Sequence, residues 1–431
     1  MNMSKWAFIL AGVFFLSPAL VFAAADKDYF VGTYYYPWYH NNNFHGPAPK
    51  GITTLVYHLN PQMTPQLGWY DQTDSDISQH YKWARYAGIN FFVNSYWGSG
   101  SGEDHVIRYH MFNNADRGDI KLCVFLEPVI TPSNIIAQTN YLCDNYFSRL
   151  GYFRIDDKPV VFIYITRAMS DANLTTYITD LRTTATSKGY TVYIVGDEVW
   201  GSPTPISEPN RVSLMDAVTN YDVYGNLGSA RFVTDSILNT WQSKNASWKN
   251  FVNSLGKQFI PAVSPGFNDR GVRDGHQPSS RKLNNESYAF GTLFSGMLDR
   301  AKLTADMNMI MVTSWNEWHE DTQIEPVTPA PATNLDDGAA SGHYAGYYTD
   351  GLYYNGYGML YLNILRDKTT LLALCDYDDD GQVDFYDLSF LLDYWLGTCT
   401  TDVNCIKADF TTNGTINFAD FEICAQQWTG R

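Results

Sequence analysis

The stretch Met307-Asn308-Met309-Ile310-Met311-Val312-Thr313-Ser314-Trp315-Asn316-Glu317-Trp318-His319-Glu320 decides how this chain is read. Its first half is an apolar run of strand length, and the spacing predicts a strand over 307–314. Its second half sets two carboxyls three residues apart among two indoles, an imidazole and an amide, just past the strand end. A solvated turn is a poor host for this mixture, because exposing Trp and burying an unpaired acid both cost free energy. A sugar-cleaving site is a good one. Acids move protons there, and indoles cover the apolar faces of pyranose rings.

Working outward, the same kind of run recurs. Strands are predicted at 29–36, 89–95, 120–127, 159–165, 190–196, 217–221 and 258–263, and helices at 76–87, 133–150, 171–188, 235–255 and 288–304. The helix over 76–87 stops at Gly88, a residue suited to a C-cap. Eight strands, each followed by a helix or a long loop, predict an α/β fold of the (β/α)8 TIM-barrel type, with a doubly wound open sheet as the alternative. Several strands end in polar or aromatic groups: Tyr36-Pro37-Trp38-Tyr39, Ser95-Tyr96-Trp97, Leu126-Glu127-Pro128 and Tyr221. That gathering is expected of the catalytic face of a barrel.

Bulk properties narrow the partners. Among 431 residues, 29 are basic and 45 acidic, giving a net charge of -16 that disfavours nucleic acid and anionic membrane surfaces. A mean hydropathy of -0.27 excludes a polytopic membrane protein. Aromatic residues make up 16%, more than a core alone requires and suited to a carbohydrate cleft. Lys5, the apolar run over 6–22 and Ala23-Ala24-Ala25 predict a signal peptide over 1–25 and a secreted or cell-surface protein. A retained anchor helix is the alternative, and Pro18 interrupts it. Of the six cysteines, Cys375, Cys399, Cys405 and Cys424 lie in the tail and Cys123 and Cys143 stand apart. Disulfides are expected in both groups, with connectivity open.

A catalytic domain over 26–366 gives way to an Asp-rich tail over 367–431. Asp376, Asp378, Asp380, Asp384 and Asp387 occupy positions 1, 3, 5, 9 and 12 of a loop that has Gly381 at 6 and the Gln382 carbonyl at 7. A second copy offers Asp409, Thr411, Asn413, Asn417 and Asp420, with the Thr415 carbonyl at 7. Hard oxygens converging around a turn-forming Gly suit Ca2+. This tandem resembles a dockerin, which implies a small all-α calcium-binding module that attaches secreted enzymes to cohesin-type scaffold proteins.

The run from Trp315 to Glu325 resembles that of glycoside hydrolase family 99, the endo-α-1,2-mannosidases and mannanases. Tyr34-Tyr35-Tyr36-Pro37-Trp38-Tyr39, Leu67-Gly68-Trp69-Tyr70, Ala87-Gly88-Ile89, Phe125-Leu126-Glu127-Pro128 and Pro261-Ala262-Val263-Ser264-Pro265-Gly266-Phe267 resemble further family segments. The resemblance implies retaining hydrolysis of α-mannosides through a 1,2-anhydro sugar, and with no zinc or phosphate motif in the chain no cofactor or metal is expected for catalysis. It implies Glu317 as the base on the 2-hydroxyl and Glu320 as the acid, then base, at the leaving oxygen. It also implies sugar contacts from Glu127, Tyr221 and Tyr36, with Tyr35 as the alternative to Tyr36. Tyr96, Trp97, Trp315, Asn316 and His319 complete the candidate binding set, His319 as an orienting hydrogen-bond donor. Two departures stand out. Asp321 occupies a position where the family commonly has Gly, and Tyr96-Trp97 reverses the order found in mannosidases. A polysaccharide-remodelling or transferring enzyme of a related barrel family is a second reading, against which Thr322-Gln323-Ile324-Glu325 favours the hydrolases. A non-catalytic carbohydrate-binding scaffold component is a third.

Overall fold

Eight apolar segments pair side by side in parallel: β1 (Phe30–Tyr35), β2 (Ile89–Tyr96), β3 (Lys121–Leu126), β4 (Lys158–Ile163), β5 (Tyr193–Asp197), β6 (Ala217–Thr219), β7 (Gln258–Phe259 and Ala262–Val263) and β8 (Met309–Val312). The computed structural model describes residues 28–39, 59–68, 70–206, 208–338, 344–370, 375–377, 383–399, 402–411, 413–426 and 428. The expected signal peptide over 1–25, Trp69, Asp378, Asp380 and Gln382 lie outside the described residues.

The sheet order runs β7-β6-β5-β4-β3-β2-β1-β8-β7, so its two ends are the two halves of one segment. Pro261 divides that segment. The part before it pairs with β6 and the part after it with β8. Ile260 N donates to Val218 O at 2.9 Å, and Pro261 O accepts from Met311 N at 2.9 Å. A closed ring of parallel strands replaces the open-sheet alternative.

Helices α1 (Asp74–Tyr86), α2 (Ile135–Asn145), α3 (Asp171–Ser187), α4 (Asp235–Ser254), α5 (Thr292–Ala301) and α6 (Leu360–Thr369) accompany the ring. Each expected helix is present, but 133–150 is shortened to Ile135–Asn145, where Tyr146 leaves helical geometry and its hydroxyl donates to Asp104 Oδ1, and 288–304 is shortened to Thr292–Ala301. Ser170 and Thr234 cap α3 and α4 by accepting backbone N–H groups. After α1, Gly88 takes φ +73, and a Cβ there would come within 2.2 Å of Thr370 Oγ1. Both constraints require glycine.

At the N-terminal end of the ring Phe30, Phe91 and Phe153 stack with centroids 4.2 to 5.6 Å apart. Gly32 makes room for them, since a Cβ there would lie 2.2 Å from Phe91 Cζ. Cys123 and Cys143 are buried free thiols on β3 and α2, so no disulfide forms in that group. In the tail, Cys375–Cys424 and Cys399–Cys405 are joined. They enclose a separate small core that includes Val383, Leu391, Ala408 and Ile416. Helices α7 (Phe385–Asp393), α8 (Val403–Ala408) and α9 (Phe418–Gln426) surround it.

Candidate active site

Past β8 the chain folds back on itself. Ser314 N donates to Thr322 O at 2.8 Å, and Ser314 Oγ accepts from Glu317 N at 2.8 Å. The returning loop is clamped to the end of β1. Trp315 N donates to Tyr34 O at 2.8 Å, while the Asn316 amide accepts from Tyr36 N at 2.8 Å and donates to Tyr36 O at 3.0 Å. Glu317 and Glu320 are thereby held over the C-terminal ends of the strands.

Glu317 is almost completely enclosed and takes a backbone hydrogen bond from His319 N at 2.9 Å. The His319 Nδ1 sits 3.1 Å from the same Oε1. Burial lowers the imidazole to about 4, so it is neutral at ordinary pH. Burial also drives Glu317 up to about 8, against the opposing hydrogen bond from His319. Glu320 retains 18% side-chain exposure and accepts from Tyr221 OH at 3.2 Å and Arg273 Nη1 at 3.1 Å. Burial, then the charge of Glu317, raises it to about 7, with Arg273 pulling the other way. Glu127, at the end of β3, accepts from Ser95 Oγ at 2.6 Å and is raised by burial to about 8. The Tyr36 hydroxyl donates to that of Tyr221, making a Tyr36–Tyr221–Glu320 chain. Three carboxyls crowded in low dielectric cannot all ionise, so near neutral pH the cluster holds protons that it can give away.

Behind the loop lies a fully buried scaffold. Glu325 accepts from Tyr70 OH at 2.8 Å and Trp318 Nε1 at 3.0 Å, with His80 Nε2 3.2 Å from its other oxygen. His80 Nδ1 in turn contacts Tyr35 OH at 2.9 Å. Asp321 has φ +49, a left-handed conformation that glycine adopts more freely than other residues. Its charge does not bear on Glu320 alone, because buried Arg281 pairs with it at 3.0 Å.

A cavity of about 290 Å3 opens beside Glu320, bounded by Tyr164, Trp200, Tyr221, Phe267, Arg273 and Thr313. Most of these residues follow β4 to β8, and the sequence reading missed Tyr164, Trp200, Phe267, Arg273 and Asp269. Position just past a strand end was the sequence signal at Tyr164 and Trp200, and Phe267 lay in a segment that resembles the family. Arg273 and Asp269, paired at 2.7 Å, otherwise read as a solvated charged loop.

Among the expected site residues, Glu127, Glu317, Glu320, Tyr36, Tyr221 and His319 come together, and Trp97 reaches them by donating to Ser95 Oγ at 2.9 Å. Others do not. Tyr35 and Tyr96 lie on the outer face of the strands, Tyr35 against His80 of α1 and Tyr96 donating to Gln138 of α2 at 3.2 Å. Alternation along each strand puts Tyr36 and Ser95 inside and their neighbours outside. Trp315 is wholly buried against His80 and Phe92, and Asn316 is used up in clamping β1. All four are buried, and none borders the cavity beside Glu320.

In the second tail loop, Asp409 accepts from Asn413 N at 3.0 Å and Gly414 N at 2.6 Å, and Asp420 from Thr411 N and Asn417 N, both at 2.9 Å. Thr411 Oγ1 lies 3.0 Å from Asp420 and 3.4 Å from Asp409, so two buried carboxylates face one hydroxyl. Thr415 N and Ala419 N donate to the side chains of Asn413 and Asn417, each at 2.9 Å. In the first loop, Asp387 accepts from Tyr377 N at 2.6 Å and Asp384 N at 2.9 Å, and Asp376 is buried. Among the described residues no three His, Cys, Asp or Glu side chains gather as a metal site. In the second loop the remaining donors are amide and hydroxyl oxygens.

The family model described as glycosyl hydrolase family 99 matches residues 48–354. The match begins after β1, so Tyr36 enters the site through the fold. A rat protein named glycoprotein endo-alpha-1,2-mannosidase is 25% identical over 358 residues, covering 71% of this chain and 70% of that one. A human glycoprotein endo-alpha-1,2-mannosidase-like protein is 23% identical, covering 69% and 68%. Among solved structures, a GH99 endo-alpha-mannosidase from Bacteroides thetaiotaomicron aligns with TM-score 0.54 at 21% identity, covering 79% of this chain and 99% of that one.

Proposed function

The chain belongs to glycosyl hydrolase family 99 and is an enzyme of that kind, and from this premise we propose that it cuts α-1,2-mannosidic bonds within mannan or mannose-rich glycans. Glu317 takes the proton of the substrate's 2-hydroxyl. The 2-oxygen attacks C1, the bond from C1 to the leaving oxygen breaks, and Glu320 delivers its proton to that oxygen. Glu320, now a carboxylate, accepts a proton from water, which opens the 1,2-anhydro ring at C1. The 2-oxygen recovers its proton from Glu317, and configuration is retained.

One observation carries this reading: Glu317, enclosed beside His319, and Glu320, open to the cavity and held by Tyr221 and Arg273, stand together past the end of β8. A single proton shared by the pair sits on Glu320 in the reactive form and leaves Glu317 as the base. An acid and a base can coexist in such a pair. His319 orients Glu317, and Tyr221 orients Glu320. The test is a panel of α-mannosides sorted by linkage and length, with the first-formed anomer read by NMR. We expect internal cleavage of α-1,2-linked substrates to an α-product. A β-product, or cleavage confined to other linkages, overturns the reading.

The tail is proposed as a dockerin-like module in which Asp376, Asp378, Asp380, Gln382, Asp384 and Asp387, then Asp409, Thr411, Asn413, Thr415, Asn417 and Asp420, would hold Ca2+. Bound there, the ion would neutralise the facing carboxylates. The convergence of Asp409 and Asp420 on Thr411 supports the fit. Phe385 in the first repeat and Phe418 in the second stand exposed at matching positions, with Tyr386 exposed beside Phe385, a surface suited to a cohesin-type partner. Tail disulfides suit an exported protein, in line with the signal peptide expected over 1–25. Calcium should raise the melting temperature of the tail. A chelator without effect removes the module reading.

A further inference from the structure

Trp200 stands at the end of β5 with 45% of its surface exposed. It forms part of two hollows. One is the cavity beside Glu320. The other is an open groove of about 550 Å3 on its far side, where Ser202, Thr204 and Glu208 supply polar atoms. The indole is pinned. The Arg167 guanidinium lies 5.0 Å from its centroid, and the chain at Gly225 comes so close that a Cβ there would lie 2.4 Å from Cη2. A rigid, half-exposed indole between a reaction cavity and a polar groove has the attributes of a sugar-stacking platform, because the apolar face of a pyranose buries area on it at little entropic cost.

Charge narrows the ligand. Arg167 and Arg211 border the groove, yet neither guanidinium is unpaired. Arg167 binds Asp197 at 2.6 Å, and Arg211 binds Glu198 and Asp171, each at 2.6 Å. Glu208 adds a carboxylate beyond those pairs, so the groove lining carries three acids, Asp171, Glu198 and Glu208, against two bases. An anionic group entering it would meet like charge, whereas sugar hydroxyls would find acceptors.

We propose that this groove is a distal subsite for the leaving-group side of a neutral glycan, with Trp200 as the platform over which the chain passes from the Glu320 cavity. The proposal rests on Glu320 acting at the leaving oxygen. It assigns the enzyme unsubstituted, multi-residue leaving groups over phosphorylated or uronic ones.

The test compares neutral linear α-1,2-linked manno-oligosaccharides of increasing length with a disaccharide α-fluoride that has no leaving sugar, on the full chain. In Trp200→Ala the ratio of kcat/KM for the longest oligosaccharide to that for the fluoride falls about tenfold. Trp200→Phe recovers most of it. Ser202→Trp, at an exposed position on the groove, lowers the same ratio by obstruction. Adding a phosphate to the leaving end lowers kcat/KM in the wild type. An unchanged ratio in both Trp200→Ala and Ser202→Trp, or equal loss on both substrates, overturns the subsite. If the wild type cuts no α-mannoside, the functional proposal fails separately. Calorimetric titration with the same oligosaccharides then decides the groove, with at least tenfold weaker binding by Trp200→Ala expected and equal affinity overturning it.

Discussion

At one end of the barrel Phe91 stacks on Phe153 and Phe30 over the notch left by Gly32. At the other end Glu127, Glu317 and Glu320 are crowded with Tyr36 and Tyr221. The same strands build both ends, but the floor gains from every buried atom while the rim carries carboxyls that burial penalises. Such a division lets a fold tolerate a strained site, since the cost at the rim is offset by packing elsewhere. Substitutions at the floor should change stability and spare the chemistry, and those at the rim should do the reverse.

The largest effect should come from Glu320→Gln, which removes the proposed proton donor and keeps the shape. We expect kcat to fall by about 10³-fold or more, with no loss of melting temperature. Turnover near the wild-type rate would remove Glu320 from its assigned role. Phe91→Ala tests the floor. It should cost about 4 kcal/mol in denaturant unfolding, while kcat per folded molecule stays close to wild type. A matching drop in kcat would mean that the two ends are coupled, and the contrast would break.

A smaller effect sharpens the contrast through pH. Glu317 and Glu127 rise from an ordinary 4.5 to about 8 in the fold, so between pH 4.5 and 8 the folded state binds protons that the unfolded chain has released. Stability should therefore fall as pH rises through that window. Glu317→Gln should flatten the slope and be more stable than wild type at pH 8, by on the order of 2 kcal/mol. Urea titrations at pH 5 and pH 8 read this directly, and an unchanged slope would show that Glu317 is not held protonated by burial. Least of all, Glu325→Gln weakens the scaffold behind the loop. A roughly tenfold drop in kcat with little change in KM is expected, the mark of a residue that positions Glu317 and Glu320 without touching substrate.

Much of the architecture was legible because its causes are local. Each barrel strand announces itself as an apolar run, and Pro261 even marks the place where β7 changes partners. Glu317 and Glu320 were legible because neither a packed core nor a solvated turn favours acids set among indoles at a strand end. Strand parity was not. In Tyr34-Tyr35-Tyr36 all three residues are aromatic and all are buried, so no contrast in polarity tells inside from outside. The same ambiguity put Tyr96 in the site when it belongs to the packing under α2. Asp321 looked like an added charge because its partner, Arg281, lies forty residues upstream. Arg273 and Trp200 come from separate loops, and nothing near either one points to the other.

By itself the sequence determined the barrel class and the place of two carboxyls among indoles past the last strand, since hydrophobic runs, breakers and motif spacing act over a few residues. Tertiary structure alone decided which tyrosines face the cavity and which cysteines pair. It also decided that Asp321 is paired with Arg281, and that burial raises the carboxyls of Glu317 and Glu320. Those properties depend on burial and on partners brought together by ring closure, and a pKa or a side-chain contact has no value until the chain around it is in place.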